Sequence, residues 1–383
     1  MTMTTFRFLT AGDIRCGRGA AQEAAEAVLG FGQNVVLVIG GNPGRSAWLR
    51  TALEWAGARV TLFSCPSEPD VALIDQGVAA ARGAKAQVVV ALGGGAVIDA
   101  GKAIAALVPA TRPLEDHLEV VGQGLPLDHA PLLFVALPTT AGTGAEVTKN
   151  AVIGVPAAGR KVSLRDDRML ADLAIIDPAL SDDAPRRVTL ASGLDAITQV
   201  IEPYICRKAN PLTDALCRDA IPRGLVALTA LMRGESSDAR DDMAWVSLCG
   251  GLALANAGLG AVHGLAGPIG GLTGAPHGAV CGRLLPFVLD RNAQGATGQL
   301  ATRLAEIRGW IAQAFDCPPS DATQALADWS AQSGLPGLSE MGVQSADFAT
   351  LAEAALAASS MKASMYLASA SSMNTSGDLY SSM

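Results

Sequence analysis

The chain has 383 residues, 50% hydrophobic and 17% charged, with 42 glycines and a net charge of −8 at neutral pH. That length suffices for two domains with cores of their own, and an acidic balance without any concentrated run of Lys and Arg argues against nucleic acid or membrane partners. Seven cysteines (16, 65, 206, 217, 249, 281, 317) are odd in number, scattered and never in a C-x-x-C pair, which fits reduced thiols in a cytoplasm and argues against a disulfide frame or zinc knuckle.

The opening MTMTTFRFLTAG has no basic stretch leading into an apolar one, so no secretory signal is expected. From residue 35 onward, short β-branched runs alternate with helix-period segments. VVLVIGG (35–41), RVTLFSC (59–65) and QVVVALGGG (87–95) read as strands; RSAWLRTALEWAGA (45–58), PDVALIDQGVAAARGAKA (69–86) and AVIDAGKAIAAL (96–107) read as helices. This is the pattern of βαβ units on a buried parallel sheet. The most apolar long window, 88–108, carries Asp99, Lys102 and a glycine run, which excludes a membrane span. Further strands are predicted at LLFVALPTT (132–140), AVIGV (151–155), KVSL (161–164) and LADLAIID (170–177), while the interrupted basic run RKVSLRDDR (160–168) reads as a solvated loop or edge strand. After the Pro- and Asp-rich DPALSDDAP (177–185) the pattern becomes helical, with helices expected over 188–209, 213–234 and 243–258. A boundary near residue 186 follows: an α/β dinucleotide-binding domain over 1–186 and an all-helical domain over 187–383. The Ser-, Ala- and Met-rich tail, 361–383, is expected to pack loosely.

Two strand-to-loop junctions are candidates for chemistry. Gly93, Gly94 and Gly95 lie between a strand and a helix, where backbone amides and the helix N-terminus can receive a pyrophosphate. PTTAGTGAEVT (138–148) ends another strand in hydroxyls and glycines, and loops at strand C-termini are where an open α/β sheet binds its ligand. Of the four histidines, His117 and His129 sit in a Pro- and Asp-rich connection and read as structural or surface groups. His263 and His277 bracket HGLAGPIGGLTGAPH, whose glycines and prolines are expected to break a helix and aim both imidazoles inward. In GLDAITQVIE (193–202), Asp195 and Gln199 share a helix face at i and i+4. Asp195 with the two histidines makes three ligands for a divalent ion. The match of YICRK (204–208) to a Tyr-x-x-x-Lys dehydrogenase signature is set aside, because it falls in the helical half without the accompanying N-terminal glycine fingerprint.

The motifs GGGAVIDAGKA (93–103), LPTTAGTGAEVT (137–148), LAIIDPAL (173–180), GLDAITQVIEPY (193–204), NAGLGAVHGLAGPIGG (256–271) and PHGAVCGRLLPFVLDRN (276–292), in this order, resemble the iron-containing (group III) alcohol dehydrogenases. The resemblance implies an α/β dinucleotide-binding domain followed by an all-α domain, the dehydroquinate synthase-like fold, with the site in the cleft between them. It implies NAD(P)-dependent interconversion of an alcohol with an aldehyde or ketone, in a homodimer or larger oligomer. By motif, Gly94, Gly95 and Ala96 would hold the pyrophosphate, with Asp99 one turn into the helix. Thr139, Thr140 and Thr143 would line the adenosine and nicotinamide side, and Lys161 and Leu180 would lie near the cofactor. Asp195, His263 and His277 match three of the family's metal ligands and serve as its catalytic centre. The fourth ligand, normally His, is Gln199 here, and a further family histidine is replaced by Gly267.

Gln199 offers a neutral amide oxygen in place of a nitrogen, a poorer donor for Fe²⁺ or Zn²⁺. Metal-assisted hydride transfer is therefore the first expectation; a metal-independent enzyme of the maleylacetate reductase type, with His263 or His277 as proton donor, is the second. A non-catalytic dinucleotide-binding protein is a third. Gly40 stands where an acid often repels a 2′-phosphate, with Arg45 following, which leaves both NAD and NADP open. The small, apolar composition of the helical half suggests a small, weakly charged carbonyl substrate.

Overall fold

The structure, a computed structural model, describes residues 5–364. The chain forms two compact units. One comprises Leu9–Thr140 and Gly144–Asp182; the other comprises the described residues up to Phe8, Ala141–Thr143 and the chain from Asp183 onward.

The first unit contains, in chain order, β1 (Asp13–Cys16), α1 (Ala24–Leu29), β2 (Asn34–Ile39), α2 (Ala47–Trp55), β3 (Arg59–Ser64), α3 (Val71–Gly83), β4 (Val88–Gly93), α4 (Gly95–Leu107), α5 (Leu114–His117), β5 (Leu133–Pro138), β6 (Asn150–Val155), β7 (Arg160–Arg165) and β8 (Leu173–Ile176). Among the described residues, six of these strands form a sheet in the order β1-β8-β5-β4-β2-β3, parallel throughout. Every residue of β4 is buried, as a strand covered on both faces requires. Val88, Val90 and Leu92 join Val35, Leu37 and Ile39 of β2 on one face, packed with Val28 of α1 and Leu49 and Leu53 of α2. β6 and β7 stand apart as an antiparallel pair. β1 has no counterpart in the sequence pattern: DIRC is short, and it is fixed by pairing Asp13–Cys16 with Leu173–Ile176 at the sheet edge.

Lys102 of α4 is buried, 1% exposed, and satisfies the irregular chain that follows β5. Its Nζ donates to the carbonyls of Ala145 (2.7 Å), Thr148 (2.8 Å) and Asn150 (2.9 Å) and to Thr148 Oγ1 (3.1 Å). Burial pushes the amine down to about 8, with Asp99 and Glu146 working in the opposite direction. His117 is buried, with Nδ1 against the Leu125 carbonyl at 3.0 Å, and His129 lies beside Asp128, so both have structural surroundings.

The second unit contains α6 (Arg186–Tyr204), α7 (Pro211–Leu231), α8 (Ser237–Ala257), α9 (Ala261–Thr273), α10 (His277–Gln294), α11 (Gly298–Phe315), α12 (Ala322–Gln332), α13 (Phe348–Ala357) and α14 (Ser359–Ala363). α6 is its axis: Gly193 to Tyr204 are buried without interruption, and α7, α8 and α10 pack around it. The expected break between His263 and His277 occurs, at the end of the segment. α9 continues through Pro268 and ends at Gly274, whose φ of +71° makes the turn into Pro276 and α10. The Tyr-x-x-x-Lys match is structural: the Tyr204 hydroxyl is paired with Glu306 and accepts from Arg218 Nε at 2.8 Å, while Lys208 is exposed. Of the tail, Met361 is buried against α9, and residues 365–383 lie outside the described residues. Among the described residues, no single helix is long and apolar enough to cross a membrane.

Replacing Lys102 with Met would leave three buried carbonyls without their donor and should cost on the order of 3 kcal/mol, measured as a lower urea midpoint. The amine's folded-state value lies below the ordinary 10.5, so its favourable contribution is complete above that pH and is lost as pH falls through about 8. The stability deficit of Lys102→Met should therefore widen between pH 8 and 10.

Candidate active site

Three helices bring a cluster of donor atoms together. Asp195, 3% exposed, projects from the middle of α6; His263 comes from the first turn of α9; His277 and Cys281, one turn apart, come from the start of α10. One ligating atom from each of these four lies within 4.8 Å of every other. Asp195 Oδ1 is 3.5 Å from His263 Nε2 and 4.0 Å from His277 Nε2, and Cys281 Sγ is 3.6 Å from His277 Nε2. The imidazole ring centroids are 5.4 Å apart. His277 is the solvent-side member, with 39% of its side chain exposed.

The approach of α10 to α6 depends on Gly278. A Cβ there would stand 2.3 Å from the Ala191 carbonyl oxygen and 3.0 Å from Asp195 Cβ, so only glycine lets the start of α10 lie this close to α6. His263 is set by Glu202, two turns beyond Asp195 on the same helix. The buried Glu202 carboxylate accepts from the backbone amides of Gly260 (2.9 Å), Val262 (2.6 Å) and His263 (3.4 Å), and from His263 Nδ1 (2.7 Å). It thereby caps α9, whose own N-cap residue Gly260 has no side chain to do so. With Nδ1–H given to Glu202, Nε2 of the neutral ring carries a lone pair directed at Asp195.

Neither Asp195 Oδ1 nor His263 Nε2 has a hydrogen-bond partner, although both atoms are buried. Two acceptor atoms facing each other at 3.5 Å call for a cation between them, either a proton or a metal ion. Burial alone would raise the Asp195 carboxyl, but the imidazoles of His263 and His277 hold it below its ordinary value. Burial likewise opposes charge on His263, yet Cys281, Asp195 and Glu202 raise it well above the ordinary imidazole value, and Cys281 and Asp195 raise His277 to about 9. An oxygen and two imidazole nitrogens so arranged suit a first-row divalent ion.

Gln199, also buried, lies one turn beyond Asp195. Its Nε2 donates to the Thr143 carbonyl at 2.6 Å, and its stem packs against Gly250 of α8. Thr143, expected on the nicotinamide side, thus has its backbone engaged by α6. In the α/β unit, Gly94 is the N-cap of α4, with no side-chain cap on the helix. The Gly93 carbonyl accepts from Thr139 N at 2.9 Å, and Thr140 Oγ1 lies 3.3 Å from where a Cβ on Gly94 would be, so the two candidate phosphate loops are neighbours. Asp99 accepts from Val152 N at 3.1 Å, Lys161 is ion-paired with Glu68, and Leu180 packs against the sheet's apolar cluster.

The model of the iron-containing alcohol dehydrogenases matches residues 11–178, and that of the C-terminal part of the Fe-containing alcohol dehydrogenase family matches residues 189–374. The chain is 33% identical to the probable alcohol dehydrogenase EutG of Escherichia coli strain K12, over 89% of this chain and 86% of that one. The chain belongs to the iron-containing alcohol dehydrogenase family. It is an oxidoreductase that interconverts an alcohol and a carbonyl compound with a nicotinamide cofactor; the family binds NAD(H) and a divalent metal. It is also 35% identical to the 4-hydroxybutyrate dehydrogenase of Cupriavidus necator, over 75% of this chain and 76% of that one. A crystallised 1,3-propanediol oxidoreductase matches with a TM-score of 0.87 at 27% identity, covering 97% of this chain and 98% of the other. The α/β unit and helical unit are the expected fold of this family.

Two residues of the site escape a reading of the sequence alone. Glu202 closes the GLDAITQVIE stretch, but its role depends on α9 reaching it. Cys281 follows His277 by four residues, a spacing that places both on one helix face and could have marked it. Gly278→Ala should push α10 off α6, costing on the order of 1 to 3 kcal/mol, and should lower the thermal midpoint and the uptake of divalent ions together; unchanged uptake would show that the closeness of the two helices does not set the cluster.

Proposed function

We propose that Asp195, His263 and His277 hold a catalytic divalent ion, Fe²⁺ or Zn²⁺, and that the enzyme reduces a small aldehyde or ketone, or oxidises the matching alcohol. The observation that carries this reading is the pair of buried, unpartnered atoms Asp195 Oδ1 and His263 Nε2, facing each other beside His277. The ion would act as Lewis acid toward the substrate oxygen while the nicotinamide exchanges hydride. Glu202 orients the His263 ring toward the ion; in the metal-independent alternative His277, the most exposed of the three, would be the proton donor. The chain falls in a subgroup with Gln199 where the family has a histidine ligand; with its amide nitrogen given to Thr143, only the oxygen could serve an ion, and that is the poorer donor. Gly94, Gly95 and Ala96 take the pyrophosphate at the uncapped start of α4, with Thr139, Thr140 and Thr143 toward the adenosine and nicotinamide, and Asp99, Lys161 and Leu180 in supporting positions.

Gly267, four residues after His263 on α9, has nothing within 4 Å of a built Cβ, so the space of the absent family histidine stays open for substrate. We assign the enzyme to the cytoplasm, where its free cysteines stay reduced, and to a homodimer or larger homo-oligomer.

Asp195→Ala should lose the bound ion, measured by elemental analysis, and at least a hundredfold in NADH-dependent reduction of short-chain aldehydes, while retaining NADH binding. Activity that survives both this substitution and chelation would favour a metal-independent reductase; NADH binding without turnover on any carbonyl would favour a non-catalytic role. NADP(H) is admitted as well, because no carboxylate stands at Gly40 and Arg45 is exposed just beyond β2. A Cβ at Gly40 meets only Val97 Cγ2 at 3.9 Å, so an Asp fits there. Gly40→Asp should lower kcat/KM for NADPH at least tenfold and leave that for NADH within a factor of about three.

A further inference from the structure

We infer that Cys281 supplies the sulfur ligand that completes the metal set, in place of the histidine lost at position 199. This rests on the metal reading above and fixes its chemistry: an oxygen, two nitrogens and a thiolate, a set that favours zinc over iron.

The geometry of the four atoms carries the assignment. Around a tetrahedral zinc, ligands at about 2.3 Å for sulfur and 2.05 Å for nitrogen stand about 3.6 Å apart, and a nitrogen and a carboxylate oxygen about 3.4 Å apart. Cys281 Sγ and His277 Nε2 are separated by 3.6 Å, Asp195 Oδ1 and His263 Nε2 by 3.5 Å, and Asp195 Oδ1 and His277 Nε2 by 4.0 Å. The Asp195 to His277 edge is wider than the tetrahedral value and all edges lie within 4.8 Å, so binding requires these atoms to draw in around the ion. Cys281 is buried at the point where these atoms converge, and two of its three neighbours there present buried atoms with no hydrogen-bond partner. The other side of the argument is Gln199, whose amide nitrogen is anchored to the Thr143 carbonyl and whose stem is held by Gly250. It is fixed as a brace between α6 and residue 143, and an amide oxygen is the weaker donor. Coordination exchanges the Cys281 S–H bond for a sulfur–metal bond, with the proton released to solvent.

Cobalt(II) reports the donor set without turnover. The full chain, stripped with a chelator and titrated with Co²⁺, should show visible ligand-field bands together with an intense near-ultraviolet thiolate-to-cobalt charge-transfer band. Cys281→Ser should abolish the charge-transfer band and weaken Co²⁺ and Zn²⁺ binding at least tenfold, while Gln199→Leu should keep the band. Ligand-field bands without charge transfer in the wild type, or a charge-transfer band that persists in Cys281→Ser, would overturn the sulfur ligand and leave the metal reading standing. Absence of any Co²⁺ or Zn²⁺ binding in the wild type would overturn both. Should Cys281→Ser fail to fold, the wild-type spectrum still decides, and Cys281→Ala offers a smaller, apolar replacement.

Discussion

The arrangement of the helical unit depends on one buried carboxylate. Glu202 is buried within α6, where an unsatisfied charge would be untenable. It is tolerated because it collects three backbone amides and the His263 ring N–H. Those contacts start α9, fix the direction in which the chain enters it, and select the tautomer of His263. The direction of Nε2, and with it the closeness to Asp195, follows from that choice. A loss at Glu202 would therefore be felt first as a helix end without a cap and only then as a misplaced imidazole.

The α/β unit solves a parallel problem with the opposite charge. The chain after β5 makes tight turns whose carbonyls have no ladder to join, and Lys102 reaches them from α4. In each unit a buried charge from a long helix holds an irregular segment that a regular element could not satisfy. This explains why Asp99 and Lys102, although they lie in a helix that reads as phosphate-binding, are engaged elsewhere. Asp99 braces Val152 of β6, and Lys102 braces residues 145–150. Under the proposed cofactor placement, contact with the phosphates would be left to backbone amides at Gly94 to Ala96.

How much of this is legible in the sequence varies with the physics of each element. The strands β2, β4 and β5 are legible because both faces are buried and β-branched runs are the result. β1 is not, because four residues at a sheet edge leave no period to detect, and their pairing with β8 is a long-range contact. The passage of α9 through Pro268 is not legible either: a proline at that point predicts a break, whereas the turn waits for Gly274 and its left-handed backbone. Asp195 and the two histidines can be named from motif order, but Glu202 cannot, since a glutamate in a helix is ordinarily a solvated residue.

If Gln199 stands where the family has a histidine ligand, as proposed, Cys281 beside the cluster would keep the donor set at four. A set of one carboxylate and three imidazoles leaves a divalent ion with a net charge of one. A carboxylate, a thiolate and two imidazoles cancel that charge. In a helical unit where Leu194, Val280 and Leu284 are fully buried, removing a net charge would lower the desolvation cost of holding an ion. The same neutralisation would make an ion held there a weaker electrophile toward a carbonyl oxygen, and more of the catalytic work would fall on the nicotinamide's own placement.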